Sequence, residues 1–230
     1  MLRLSPPEPF APAFVLAMPH GIAAGVHLPG TADPVPEDVL ARLAPEERAL
    51  AEGMRGYRQP EFVGGRLALA AIFPELGLRR VPVLVDAHGA PELPGGVAGS
   101  VTHKRDLAIA MVARGSPGLG IDLEETDRER PGVASHVLRA EELAAVEALP
   151  ADRRWNDTAV RFSVKEAVYK AIHPFLLRYV GFGEVAVWPS PDGFDRVEPH
   201  LAPGEGPFHF DARHYWIDRR VFSTVRVRKA

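Results

Sequence analysis

The chain has 230 residues, enough for one large domain or two of about 100 residues each. A composition of 46% hydrophobic and 25% charged residues is that of an ordinary globular protein, and a net charge of −3 gives no global basic field to hold nucleic acid or an anionic membrane, so neither is expected as a partner. With no cysteine, disulfides, thiolate zinc sites and thiol nucleophiles are excluded, which fits a cytoplasmic protein.

In chain order, the apolar run PFAPAFVLAMP (residues 9–19) is broken by three prolines and reads as a strand rather than a leader. No apolar run approaches the roughly 20 residues of a spanning helix. LAPEERALAEGM (43–54) and FVGGRLALAAIFP (62–74) read as helices, and VPVLVDAHG (81–89), a valine-rich run with a glycine turn, as a hairpin. GSVTHKR (99–105) offers Ser100, Thr102, His103, Lys104 and Arg105 at a turn entering a strand, a set able to cradle phosphate or to serve as a plain polar turn. DLAIAMVA (106–113) is strand-like, and ARGSPGLG (113–120) is a Gly/Pro-rich seam.

The same order then recurs. RAEELAAVEAL (139–149) carries paired glutamates as LAPEERALAEGM does, and FSVKEAVYKAIHP (162–174) overlays FVGGRLALAAIFP with Phe, Ala, Ile and Pro in register. VAVWPSPDG (185–193) and VFSTVRVR (221–228) follow as the valine run and strand did. Two similar α+β subdomains are predicted, 1–117 and 118–230, with a ligand cleft between them. That duplication supplies both cleft walls within one chain, so a monomer is expected.

Two stretches carry chemistry. In GLGIDLEET (118–126), strand alternation places Asp122 and Glu124 on one face and Ile121 and Leu123 on the other. In RFSVKEAVYKAI (161–172), a helical wheel puts Val164, Ala167, Val168, Ala171 and Ile172 on a core arc, with Lys165, Glu166, Tyr169 and Lys170 on a polar one. Pro174 is expected to stop this helix soon after His173. Taken alone, Glu166 and Lys170 are an ordinary i,i+4 surface pair. Combined with Asp122 and Glu124, Glu166 completes a set of three oxygen ligands suited to Mg²⁺ or Mn²⁺, with lysines beside it for a phosphate-bearing substrate. His209 and His214 fall on opposite faces of a strand, so a metal pair there is not expected. RRVFSTVRVRK (219–229) reads as an exposed basic strand.

GIDLE, FSVKEAVYK and GSVTH, with YRQPEFVGGR (57–66) and HGAPELPGGVAGS (88–100), together resemble the 4′-phosphopantetheinyl transferases of the large two-subdomain type that serve siderophore, polyketide and nonribosomal peptide assembly. The resemblance implies a pseudo-dimer of two α+β halves and transfer of phosphopantetheine from coenzyme A to a serine of an apo acyl or peptidyl carrier protein. It implies Asp122, Glu124 and Glu166 as Mg²⁺ ligands, Mn²⁺ being an alternative, with Glu166 and Lys170 at the chemistry. Lys165 and Lys170 would neutralise phosphate, Thr102 and His103 would hold the coenzyme, and Arg58 and Arg66 would grip its nucleotide end. Competing readings are a non-catalytic homologue that binds coenzyme A or a carrier protein, and a Mg²⁺-dependent nuclease. The nuclease core sets Glu and Lys two apart on a strand, whereas Glu166 and Lys170 are four apart on a predicted helix.

Overall fold

A computed structural model describes residues 5–115 and 118–230, so Ser116 and Pro117 of the predicted seam lie outside the described residues. The chain divides into two compact units, Met1–Gly115 and Ser116–Ala230. Each combines one antiparallel sheet with a long helix packed on it, the α+β class expected.

The first unit runs β1 (Ala11–Met18), β2 (Gly21–His27), α1 (Glu37–Leu40), α2 (Pro45–Glu52), α3 (Arg58–Glu75), β3 (Val97–Lys104) and β4 (Leu107–Arg114). Its sheet order is β1-β2-β4-β3. α3 buries Val63, Leu69, Ile72 and Phe73 against Val26, Ala108, Ala110 and Val112 of the sheet. Gly64 and Gly65 let α3 lie close: a Cβ on Gly64 would fall 2.3 Å from Leu28 Cδ2, and one on Gly65 2.9 Å from Val101 Cγ1.

The second unit runs β5 (Leu119–Glu125), α4 (Val133–Val137), α5 (Ala140–Glu147), α6 (Ala151–Leu176), a 3₁₀ turn (Phe182–Glu184), β6 (Val185–Trp188), β7 (Phe194–Pro199), β8 (Phe208–Ile217) and β9 (Arg220–Lys229). The strands order β5-β9-β8-β7-β6. α6 covers β5 and β9, burying Val164, Ala167, Val168, Ala171 and Ile172 as the wheel predicts. No described helix is long and apolar enough to cross a membrane.

As expected, α6 ends soon after His173: Pro174 lies in its last turn, the last helical residue is Leu176, and Leu177 closes it in the left-handed region at φ 53° with its N–H on the His173 carbonyl. Three local expectations are corrected. VPVLVDAHG forms only an isolated bridge, Val85 to Pro91, around a turn in which Asp86 Oδ1 accepts from the N–H of His88 and Ala90, whereas VAVWPSPDG does form a strand pair, β6–β7. GSVTHKR is not a turn: Gly99–Lys104 lies within β3, and only Arg105, at φ 35°, belongs to the turn. The C-terminal basic strand is not exposed, because β9 lies between β5 and β8 with Val221, Phe222, Ser223, Thr224 and Val225 buried.

Candidate active site at the β5–α6 seam

Gly120 brings the seam together. A Cβ there would sit 1.9 Å from the Ala167 carbonyl oxygen and 2.6 Å from the Ala171 nitrogen, so strand and helix backbones meet where no side chain intervenes. Alternation from Gly120 then turns Asp122 and Glu124 toward α6, both buried rather than solvated. Lys170 Nζ crosses from the helix to Asp122 Oδ1 at 2.9 Å and to the Ile121 carbonyl at 2.9 Å. Glu166, half-buried, stands one turn before Lys170 on the same side of α6. Arg130, from the segment after β5, donates Nη2 to Glu124 Oε2 at 2.5 Å while its guanidinium lies 5.6 Å from the Trp155 ring centre and 5.4 Å from that of Phe162.

Among the described residues no three His, Asp or Glu side chains converge as a ready metal cage. Asp122 and Glu124 each carry a base, Lys170 and Arg130, as buried carboxylates require. The donor set is carboxylate oxygen alone, on one face of one strand and the helix above it. In donor chemistry it fits a hard divalent cation rather than a soft one.

Lys165 departs from its predicted place. Its side chain is 1% exposed, and its ammonium donates to Glu142 Oε2 at 2.5 Å, the Val137 carbonyl at 2.9 Å and the Phe182 carbonyl at 3.0 Å, which uses all three donors inside the unit. On the wheel Lys165 lies only about 20° from Ile172, at the margin of the core arc, and Glu142 on α5 draws it inward. Burial pulls its pKa below the ordinary lysine value, with the Glu142 hydrogen bond and charge opposing that shift. Arg161 completes the node, donating to Asp157 Oδ1 at 2.6 Å and to the Val187 carbonyl, 3.8 Å from Glu142 Oε1.

The predicted residues of the first unit lie on two elements, Arg58 and Arg66 on α3 and Thr102 and His103 on β3. Arg66 is buried, donating Nε to the Val83 carbonyl at 2.7 Å and Nη2 to that of Leu84 at 3.3 Å, over the Phe62 ring. Burial lowers its pKa to about 10, against the favourable charge of Glu47. Arg58 is exposed at the start of α3. Thr102 is buried and His103 exposed, as neighbours on a strand point to opposite sides, and His103 Nδ1 lies 3.3 Å from Glu61 Oε1 of α3. His209 and His214 are both in β8; His214 Nδ1 pairs with Asp195, both carboxylate oxygens at 2.9 Å.

Sequence reasoning missed Glu142 and Arg130. Glu142 had a signal: APEE and RAEE place a glutamate at the third position of a helix in each half, where a carboxylate reaches back to the helix-capping N–H. Arg130 had none, because it meets Glu124 only through the path of a loop.

The sequence model of the 4′-phosphopantetheinyl transferase N-terminal domain matches residues 46–113, and that of the 4′-phosphopantetheinyl transferase superfamily matches residues 118–224. The chain is 34% identical over 174 residues to the 4′-phosphopantetheinyl transferase Svp of Streptomyces mobaraensis, covering 74% of this chain and 70% of that one. It is 32% identical over 184 residues to the transferase Npt of Nocardia iowensis, covering 76% and 75%. To the transferase PptT of Mycobacterium tuberculosis it is 32% identical over 146 residues, covering 62% and 63%.

Proposed function

The chain belongs to the 4′-phosphopantetheinyl transferase superfamily of enzymes, and from that premise we propose that it moves the 4′-phosphopantetheine group of coenzyme A onto a serine of an apo carrier protein, with Mg²⁺, releasing adenosine 3′,5′-bisphosphate. The observation that carries this reading is the bridge from Lys170 Nζ to Asp122 Oδ1 and the Ile121 carbonyl, because it joins the acid-bearing strand to the helix of Glu166.

Asp122, Glu124 and Glu166 would hold the divalent cation. Bound there, it supplies positive charge against the diphosphate of coenzyme A. Lys170 adds a second positive charge at the same phosphoryl group, in a site where positioning and charge compensation do most of the work. Glu166 accepts the proton of the serine hydroxyl, a poor nucleophile without a base nearby. The serine oxygen forms the new bond to phosphorus, and the phosphorus–oxygen bond to the adenosine bisphosphate breaks. Lys165 acts from inside, fixing α6 against α5, rather than at the phosphate.

The test mixes the protein with an apo carrier protein, coenzyme A and Mg²⁺ and follows the carrier by intact-mass spectrometry. The carrier is expected to gain one phosphopantetheine, and Glu166→Gln or Asp122→Ala to abolish the gain with the circular dichroism spectrum retained. Near-normal rates in both variants would overturn these roles.

A further inference from the structure

We propose that Arg130 is a built-in competitor of the divalent cation for Glu124, so that it sets how readily the site takes up metal. This rests on the assignment of Glu124 as a metal ligand made above. Arg130 Nη2 lies 2.5 Å from Glu124 Oε2, and the Glu124 side chain is only 4% exposed. So little of this carboxylate is open that an arriving cation competes with the guanidinium that already holds Oε2. A buried carboxylate is costly without a positive partner. Guanidinium and metal ion therefore substitute for one another as that partner.

The arginine is also placed to yield. Its side chain is 43% exposed, and it belongs to the irregular segment between β5 and α4, so it can leave Glu124 without unfolding an element. Its guanidinium already lies by the rings of Trp155 and Phe162, and that contact keeps part of its stabilisation when Glu124 is given up. Arg128, two residues earlier, is exposed and carries the same charge. It separates the effect of the specific contact from that of net charge.

The experiment titrates the full chain with Mn²⁺, without coenzyme A, at mildly alkaline pH where carboxylates are ionised, and counts free Mn²⁺ by electron paramagnetic resonance. Arg130→Ala and Arg130→Gln are expected to bind Mn²⁺ about two- to fivefold more tightly than wild type, the fold-change an ion pair of this exposure corresponds to. Arg130→Lys, which keeps the charge, falls between them and wild type, and Arg128→Ala stays at the wild-type value. Thermal melts monitor folding of each variant. Wild-type or weaker affinity in the Arg130 variants overturns the inference, as does equal tightening by Arg128→Ala. If wild type binds Mn²⁺ and the Arg130 variants match it, this inference alone fails. If no variant binds Mn²⁺, the inference and the metal assignment fail together, while carrier modification still tests the transferase reading.

Discussion

Where the second unit carries Asp122, the first carries Ala24. The equivalence follows from strand register: Ala24 pairs with Ala110, the fourth residue of β4, and Asp122 pairs with Ser223, the fourth residue of β9. By the same register Val26 stands opposite Ala108 and Glu124 opposite Val221. The hairpins that feed these strands turn alike, through Arg105 at φ 35° and Asp218 at φ 55°. In the long helices, Arg66 aligns with Glu166. The first unit thus holds two apolar residues and a buried arginine where the second holds three acids. The two units share a frame and differ at these few side chains.

The frame has its own polar anchor in both units. Glu47 accepts from the Ala44 N–H at 3.1 Å and the Val83 N–H at 2.9 Å; Glu142 accepts from the Arg139 N–H at 2.9 Å and the Val187 N–H at 2.8 Å. Each ties a short helix to the chain beyond the long one. They differ in counter-charge. Glu142 has the buried Lys165, whereas Glu47 faces Arg80, 3.8 Å away and 43% exposed, with Arg66 held on carbonyls nearby.

The largest expected effect exploits that difference. Glu142→Leu strands a buried ammonium and should cost about 3–5 kcal/mol in chemical denaturation. Glu47→Leu loses hydrogen bonds and the charge that favours buried Arg66, but that guanidinium keeps its bonds to the Val83 and Leu84 carbonyls, so the change should cost about 1–3 kcal/mol. Lys165→Met added to Glu142→Leu should recover part of the loss. Equal costs for the two glutamates would erase the distinction between the anchors.

Next is the way each helix seats. Gly120→Ala pushes a methyl into helix backbone and should cost about 1–3 kcal/mol, with activity falling as Lys170 is displaced from Asp122. Gly64→Ala meets chiefly the end of Leu28, a side chain that can swing, and should cost less, with its main effect on melting temperature. A reversed order would show that α6 tolerates displacement better than α3.

The smallest effect concerns acid. In the second unit Arg178 clasps Glu184 and Glu205 at 2.6 and 2.5 Å, and its hydrogen bonds hold both carboxyls below their ordinary 4.5. A depressed folded-state pKa gives stability that is complete above the unfolded value and is lost as pH falls below it. Melting temperature should therefore decline below about pH 4.5 in wild type, and less steeply in Arg178→Ala, by an amount small for pairs this exposed.

Much of this was legible in the sequence. The core arc of α6 and the shared face of Asp122 and Glu124 follow from periodicities of 3.6 and 2, which local sequence carries fully. What periodicity does not carry is which neighbour arrives. The burial of Asp122 depends on Gly120 admitting α6, that of Lys165 on Glu142, and the pairing of Glu124 on the loop that delivers Arg130. The valine run at residues 81–85 carries strand propensity without a partner strand, whereas the run at 185–188 finds one in β7. Such outcomes are tertiary.

The pairing of β5 with β9 has a consequence for biosynthesis. These strands are joined across roughly a hundred residues, a long loop to close. On the ribosome, Asp122 and Glu124 emerge well before the strand that flanks them, and α6 is made before half of its sheet exists. A nascent chain stalled short of Arg220 would therefore hold both acids and the helix yet lack a finished floor beneath them, and catalytic competence should switch on only once β9 has been made rather than build up gradually.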